Sequence, residues 1–274
     1  MALILLYVLA AALYLILGIY FWRTRWATSA AEPPPARAWE RTAVVVPLVL
    51  HTILLDVTLV HPDVLRFGFG HALSVMLWLA VLVYWIESLF VRLEGLQALV
   101  LPVAALAVLL PALFPGFAAA ESSSLAFRMH LCAAMAAYSL FTIAVLQALM
   151  MTVVERRLHA GAVTGPLASL PPLLTLERML FRFIWAGFVL LTLTLASGVL
   201  FSEQLFGRAL RFEHKSLFAV LSWLIFAGLL AGRYRYGWRG RAALRWIFAG
   251  FITLMLAYVG SRFVLEVILQ RGMR

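Results

Sequence analysis

The histidines are the side chains of this sequence with the widest chemical range, and they fall in or beside its apolar stretches. The chain contains six of them. Neutral imidazole can ligate a metal ion or haem iron. An ionisable group within a membrane span costs roughly 2.5 kcal/mol or more when charged, so it normally faces the interior of the helix bundle. For any one histidine the alternative is a hydrogen bond to a neighbouring helix, whereas several at one level favour a shared site.

The histidines are distributed unevenly between the two sides of the predicted membrane. His51 lies about midway through the second apolar run, and His61 lies in the loop that follows it. Three others lie at the outer ends of predicted spans: His71, His130 and His214. Only His159 falls on the opposite side. We therefore predict that His51, His71, His130 and His214 meet in one outer basin.

A group of cations stands beside the last of these histidines, in the stretch RFEHKSLF that begins at Arg211. Arg211 and Lys215 flank His214, and Arg208 precedes them. Lys215 lies near a predicted helix start, where a cation is unfavourable by several tenths of a kcal/mol. A helix start surrounded by basic residues suits an anion. The stretch predicts an anion-binding role, with contact to lipid headgroups or a chance distribution of the charges as the alternatives.

Several other chemistries lack the residues that they need. Cys132 is the single cysteine, which excludes an internal disulfide and a cysteine-based metal cluster. The HxxxH, HExxH, GxSxG, P-loop and GxGxxG patterns do not occur in the sequence. In the last apolar run Arg262 and Glu266 are four residues apart and should share a helix face. We interpret them as a structural pair, with a lining role as the alternative, and we predict no catalytic residue.

Membrane helices are the elements that must position these side chains. The chain is 65% hydrophobic and 12% charged, whereas a soluble domain is roughly half apolar and about a quarter charged. A membrane helix needs about 20 mainly apolar residues. The sequence predicts an all-α polytopic membrane protein, a single domain over residues 1–274, with eight spans at about 2–21, 43–60, 69–90, 96–114, 126–150, 180–201, 215–232 and 246–268.

The distribution of arginine predicts the orientation of the spans. More basic residues follow the first, third, fifth and seventh spans than follow the others, so those connections should face the cytoplasm. Both termini would then face outward. The net charge of +10 is explained by these arginines, so we expect membrane lipids and no nucleic acid as partners. The first apolar run has no basic residue before it, and we expect it to stay as a span.

Five stretches, in order, resemble segments of the cytochrome c assembly family, the CcsA/CcmC-type haem-handling membrane proteins. They are PLVLHTILL (47–55), FRMHLCAAMAAYSLFTIAVLQALMM (127–151), LERMLFRFIWAGFVLLTLTLASGVLF (176–201), FEHKSLFAVLSWLIFAGLL (212–230) and WRGRAALRWIFAGFITLMLAYVGSRF (238–263). The resemblance is strongest to the small eight-span branch called YpjD-like, which is related to HemX. It implies a bacterial inner-membrane location.

The resemblance also implies roles for particular residues. His130 stands where the family has an external haem-flanking histidine, and His51 where it has one within the membrane, so both are candidate iron ligands. His214 and Lys215 stand at the end of the family's outer haem loop. Ala231 occupies the position of a second intramembrane histidine, and the closing LQRGMR lacks the second external one. A b-type haem is the implied cofactor, with two of the four family ligands absent.

Two hypotheses of function follow. The first is a haem-binding or haem-handling protein of cytochrome c biogenesis, acting with an assembly protein or another membrane protein, with Arg211, His214 and Lys215 near the haem propionates. The alternative is a haem-free regulatory or binding protein that uses the outer pocket for a lipid, a quinone or a partner protein. A transporter ranks last, because the sequence shows no inverted repeat.

Overall fold

Long helices form most of the described part of the chain in the computed structural model. The structure describes residues 1–27, 38–61, 64–91, 95–118, 125–159, 172–200 and 214–269. The helices are α1 (Ala2–Arg25), α2 (Ala38–Leu59), α3 (Phe69–Phe90), α4 (Gln97–Leu113), α5 (Leu125–His159), α6 (Leu173–Leu200), α7 (His214–Tyr236) and α8 (Gly240–Ile268).

Seven of the described helices, all except α4, are long and apolar enough to cross a membrane. Helix α4 is apolar but has 17 residues. At a rise of 1.5 Å per residue it is about 26 Å long, a little less than the roughly 30 Å hydrocarbon core of a bilayer. The predicted helical membrane protein is confirmed, whereas the eight spans and the outward termini stay predictions.

Three short strands depart from the all-α prediction. They are β1 (Val60–His61), β2 (Val64–Phe67) and β3 (Phe117–Ala118), and they form an antiparallel sheet in that order. Strand β2 pairs with β3 so that Arg66 lies opposite Ala118 and Phe67 opposite Phe117. The sheet therefore ties the connection between α2 and α3 to the connection between α4 and α5. Strands this short carry no periodic pattern that a sequence would reveal.

Contacts between α5 and α8 define the two ends of the bundle. Tyr138 of α5 donates a hydrogen bond to the carbonyl of Leu254 in α8 at 2.9 Å, and His159 of α5 lines a groove with Arg241 of α8. The two helices therefore run in opposite directions. The start of α5 and the end of α8 lie together at one end of the bundle. The start of α3, which carries His71, lies at the same end, because the end of α8 contacts it. We call this end the His71 end. We call the opposite end, with His159 and Arg241, the arginine end.

Small residues let the helices approach an aromatic pair in the core. The rings of Phe141 in α5 and Phe226 in α7 stack with centroids 3.9 Å apart. A Cβ atom on Gly187 of α6 would lie 3.1 Å from Phe141 Cζ, and one on Gly250 of α8 would lie 2.8 Å from Phe226 Cζ. Glycine at these positions permits the close helix packing that is typical of membrane bundles.

A buried ion pair fixes α1 against α2 at the arginine end. Arg25 is 2% exposed, and its Nη2 atom lies 2.9 Å from Glu40 Oε2. The Tyr20 hydroxyl donates to the other carboxylate oxygen of Glu40 at 2.9 Å. The Trp26 indole donates to the carbonyl of Gly95 at 2.9 Å, which connects α1 to the segment before α4. These bonds join the end of α1 to α2 and to the segment that leads into α4.

Candidate functional site

His71, in the first turn of α3, is a buried histidine with no hydrogen-bond partner among the described residues. Its side chain is 1% exposed, and neither Nδ1 nor Nε2 has a hydrogen-bond partner among the described residues. Arg66 is near enough to act on the ring electrostatically. A buried polar group left unpaired costs about 1–3 kcal/mol, and such groups in native structures call for an explanation, such as a bound ion or ligand.

Glu266 of α8 holds the start of α3, next to His71. Its Oε2 atom accepts a hydrogen bond from the backbone N–H of Phe69 at 3.0 Å. Its Oε1 atom lies 3.8 Å from Arg262 Nη1, an ion pair longer than a hydrogen bond. The predicted pairing of Arg262 and Glu266 is confirmed. A carboxylate at a helix start is favourable, because it faces the positive end of the helix dipole.

Irregular helix geometry in α8 accompanies this contact. The segments Leu256–Gly260 and Val264–Ile268 are π-helical, and Ser261–Phe263 separates them. The first segment carries Tyr258, whose ring lies 5.8 Å from the Arg262 guanidinium carbon. π-Helical turns occur frequently at functional sites. The sequence analysis gave no sign of these turns, because their signal is the backbone hydrogen-bond pattern and not the residue types.

His130, in the first turns of α5, belongs to a second group of residues at the same end. Its Nδ1 atom lies 2.8 Å from the hydroxyl of Ser197 near the end of α6. A Cβ atom on Gly198 would make an ordinary contact with the ring, at 3.5 Å from Cε1. Lys215 of α7 acts on His130 electrostatically. The start of α5 and the end of α6 therefore meet at this half-buried imidazole, and the start of α7 is near enough to act on it electrostatically.

His51 has a different environment, inside the bundle. It is fully buried, with Nε2 at 2.8 Å from the Ser74 hydroxyl of α3 and Nδ1 at 3.4 Å from the Tyr14 hydroxyl of α1. The Tyr14 and His51 rings also meet edge to face, with centroids 5.8 Å apart. These contacts are the hydrogen bonds to neighbouring helices that the sequence analysis gave as the alternative to metal ligation. His51 joins α1, α2 and α3.

The remaining predicted residues are only partly within the described structure. His214 is the first residue of α7 and is exposed, and Lys215 follows it. Arg208 and Arg211 lie outside the described residues, as does the side chain of His61. In the described part of the chain no group of three or more His, Cys, Asp or Glu side chains is placed to hold a metal ion. The four predicted imidazoles therefore do not form a metal cluster, although haem iron needs only one or two axial imidazoles.

Seven apolar helices of membrane-spanning length around buried histidines define a multi-pass helical membrane protein. The sequence model of the family described as "Cytochrome C assembly protein" matches residues 38–269. The chain belongs to that family, and it is a multi-pass protein of the bacterial inner membrane.

Curated relatives agree with this assignment. "Inner membrane protein YpjD" of Escherichia coli K12 is 34% identical over 140 residues, which cover 51% of this chain and 52% of that protein. "Cytochrome c biogenesis protein CcsA" of Prochlorococcus marinus strain MIT 9515 is 34% identical over 89 residues, 32% of this chain and 28% of that protein. The chain spans about half the length of the YpjD relative that it matches. No solved structure matches the chain.

Proposed function

We propose that this protein binds haem at the His71 end and handles it in cytochrome c biogenesis. The observation that carries the proposal is His71, whose buried imidazole has no hydrogen-bond partner among the described residues. A neutral imidazole offers a lone pair to iron. Ligation to iron would give a ring nitrogen of His71 a partner, which it lacks among the described residues. Family membership supports the choice of haem over a bare metal ion.

His130 is the second candidate ligand. Its Nδ1 contact with Ser197 is of the type that fixes the orientation of ligating imidazoles in metal sites. Bound haem would supply an iron atom that takes an imidazole nitrogen, and two carboxylates that take cationic side chains. Lys215, which acts on His130 electrostatically, would pair with such a carboxylate, and charge-assisted bonds of this kind are the strong ones. The sequence extends this role to Arg211 and His214.

We propose a supporting role for His51. It would have to give up its hydrogen bond to Ser74, at 2.8 Å, before Nε2 became available to iron. A histidine held on both nitrogens instead positions the helices that carry it. His51 then acts through α3, the helix on which His71 also lies.

A pigment spectrum tests the haem proposal. We expect the protein purified from haem-replete cells to show a Soret band, and we expect His71→Ala to abolish it or shift it strongly, because the axial ligand is lost. Free imidazole added to His71→Ala should restore part of the band. His130→Ala should shift it, and His51→Ala should have the smaller effect.

The matched control is His159→Ala at the arginine end, where the ring Nδ1 atom lies 2.8 Å from the carbonyl oxygen of Glu155 in its own helix. This variant should keep the full band. A band that survives both His71→Ala and His130→Ala would remove these residues as ligands. Wild-type protein without any Soret band would remove haem binding itself.

A haem-free binding or regulatory function is the second candidate. Ala231 stands at one family ligand position, and His51 at another is already hydrogen-bonded on both ring nitrogens. In this case the His71 end would hold a lipid, a quinone or a partner protein. Stoichiometric co-purification of such a molecule, from protein without haem, would favour this function over the first.

We also propose that the chain has eight spans with both termini outside, as one domain over residues 1–274. Helix α4 supports the count, because its 17 residues are apolar and it packs on α1 and α3 as a member of the bundle. The arginine end carries Arg156, Arg233, Arg241 and Arg245, which supports placing that end in the cytoplasm. The His71 end then faces the periplasm.

A further inference from the structure

A separate groove at the arginine end has the composition of a binding site. It lies between the end of α5 and the start of α8 and has a volume of about 610 Å³. Its lining residues recur along each helix at the three- and four-residue spacing of one helix face, from Thr152 on α5 and from Arg241 on α8. The groove is therefore formed by two facing helix stripes, at the opposite end of the bundle from His71.

Positive charge dominates the lining of this groove. Three guanidinium groups line it, those of Arg156, Arg241 and Arg245, and the only carboxylate among the described lining residues is Glu155. No ion pair joins these three arginines to a carboxylate in the described ranges of the chain. Nearby Glu177 is already paired, with Arg233 and with Arg239. Three cations gathered in this way attract an anion.

The floor of the groove is apolar. Leu244 and Phe248 of α8 form it and are partly buried, whereas Arg241 and Arg245, one turn apart, are exposed. Arg241 lies in the first turn of α8, where the positive end of the helix dipole also favours an anion. An anionic group with an apolar attachment fits this arrangement.

We propose that the groove binds a phosphate group through Arg156, Arg241 and Arg245. Guanidinium groups bind phosphate through two parallel hydrogen bonds, which makes arginine the preferred residue for this anion. The two sources of such a group are the headgroup of an anionic phospholipid and a soluble phosphorylated compound. The apolar floor beside the cations favours the lipid. The site is independent of haem binding at the His71 end.

Binding to the purified full chain in detergent tests the proposal. The probes are phosphatidylglycerol, phosphatidylcholine and inorganic phosphate, and bound molecules are counted by native mass spectrometry. We expect Arg241→Gln and Arg245→Gln each to weaken binding about tenfold, because a charge-assisted bond is lost. Arg241→Lys should retain part of the affinity, since lysine keeps the charge without the paired donors.

The matched control is Arg235→Gln at the same end, an exposed arginine that does not line the groove. It should bind like the wild type. Saturable binding of phosphatidylglycerol that phosphatidylcholine does not reproduce assigns the site to a lipid headgroup. Binding of inorganic phosphate with the same variant pattern, and no preference between the two lipids, assigns it to a soluble phosphate. Equal affinity of the groove variants and the wild type, or equal weakening in Arg235→Gln, would overturn the proposal.

Discussion

At the scale of single residues, two buried histidines in neighbouring helices differ by their hydrogen bonds. His51 is satisfied by Ser74 and Tyr14, whereas His71 has no described partner on either nitrogen. Burial without a partner is costly, and burial with two partners is stable. This difference, more than the position of either residue in the sequence, makes His71 the better candidate for a ligand and His51 the better candidate for a structural role.

Removing the hydroxyl of Ser74 tests the structural role of His51. We expect Ser74→Ala to lower the free energy of unfolding by about 1 kcal/mol, because His51 Nε2 is then left buried without its 2.8 Å partner. The measurement is denaturant unfolding in micelles. Ser139→Ala is the control, since the buried Ser139 hydroxyl has no hydrogen-bond partner in the described structure. Equal losses in the two variants would contradict the role of this hydrogen bond.

At the scale of helices, α8 not only packs in the bundle but also contacts the start of α3. Its last turns are π-helical and carry Glu266 to the start of α3. The close approach there leaves no room for side chains at Gly68 and Gly116, where an added Cβ atom would lie within 3 Å of neighbouring atoms. Helix α8 therefore fixes the position of the helix end that presents His71. A change in α8 is expected to reach the candidate haem ligand through this contact.

Replacing Glu266 tests the coupling between α8 and α3. We expect Glu266→Ala to destabilise the protein by about 1–2 kcal/mol and to alter the Soret band, because the Phe69 N–H loses its acceptor and the start of α3 loses a favourable charge. Glu266→Gln keeps an acceptor and should lose less. Glu87→Ala is the control, because the Glu87 side chain makes no described ion pair or hydrogen bond. Stability equal to that of the control would show that α8 does not hold α3.

At the scale of the whole molecule, the two ends of the helix bundle carry different functional side chains. The His71 end gathers imidazoles from α3 and α5 with the cation Lys215 of α7. The arginine end gathers guanidinium groups from α5 and α8, without an ion pair to any described carboxylate, around an open groove. In the proposed orientation the first faces the periplasm and the second the inner leaflet and the cytoplasm. Each end then meets a different set of partners.

Cysteine labelling tests this orientation and the number of spans. The chain has one cysteine, so Cys132→Ser provides a background for the single substitutions Ala2→Cys, Tyr236→Cys and Met273→Cys. We expect a membrane-impermeant maleimide to label Ala2→Cys and Met273→Cys in intact cells with a permeable outer membrane. Tyr236→Cys should react only after lysis. Labelling of residues 2 and 273 from opposite sides would show an odd number of spans.

The sequence by itself determined that this is a helical membrane protein, its family, and roughly where its helices lie along the chain, because apolar excess and run length report directly on the bilayer. The helix ends differ from the predicted limits by several residues at most helices. It also placed Arg262 and Glu266 on one face. Only the tertiary structure decided which histidine has hydrogen-bond partners and which has none among the described residues. Hydrogen-bond partners such as Ser74 for His51 come from another helix, and no local pattern records them. The π-helical turns and the groove between α5 and α8 depend on packing in the same way.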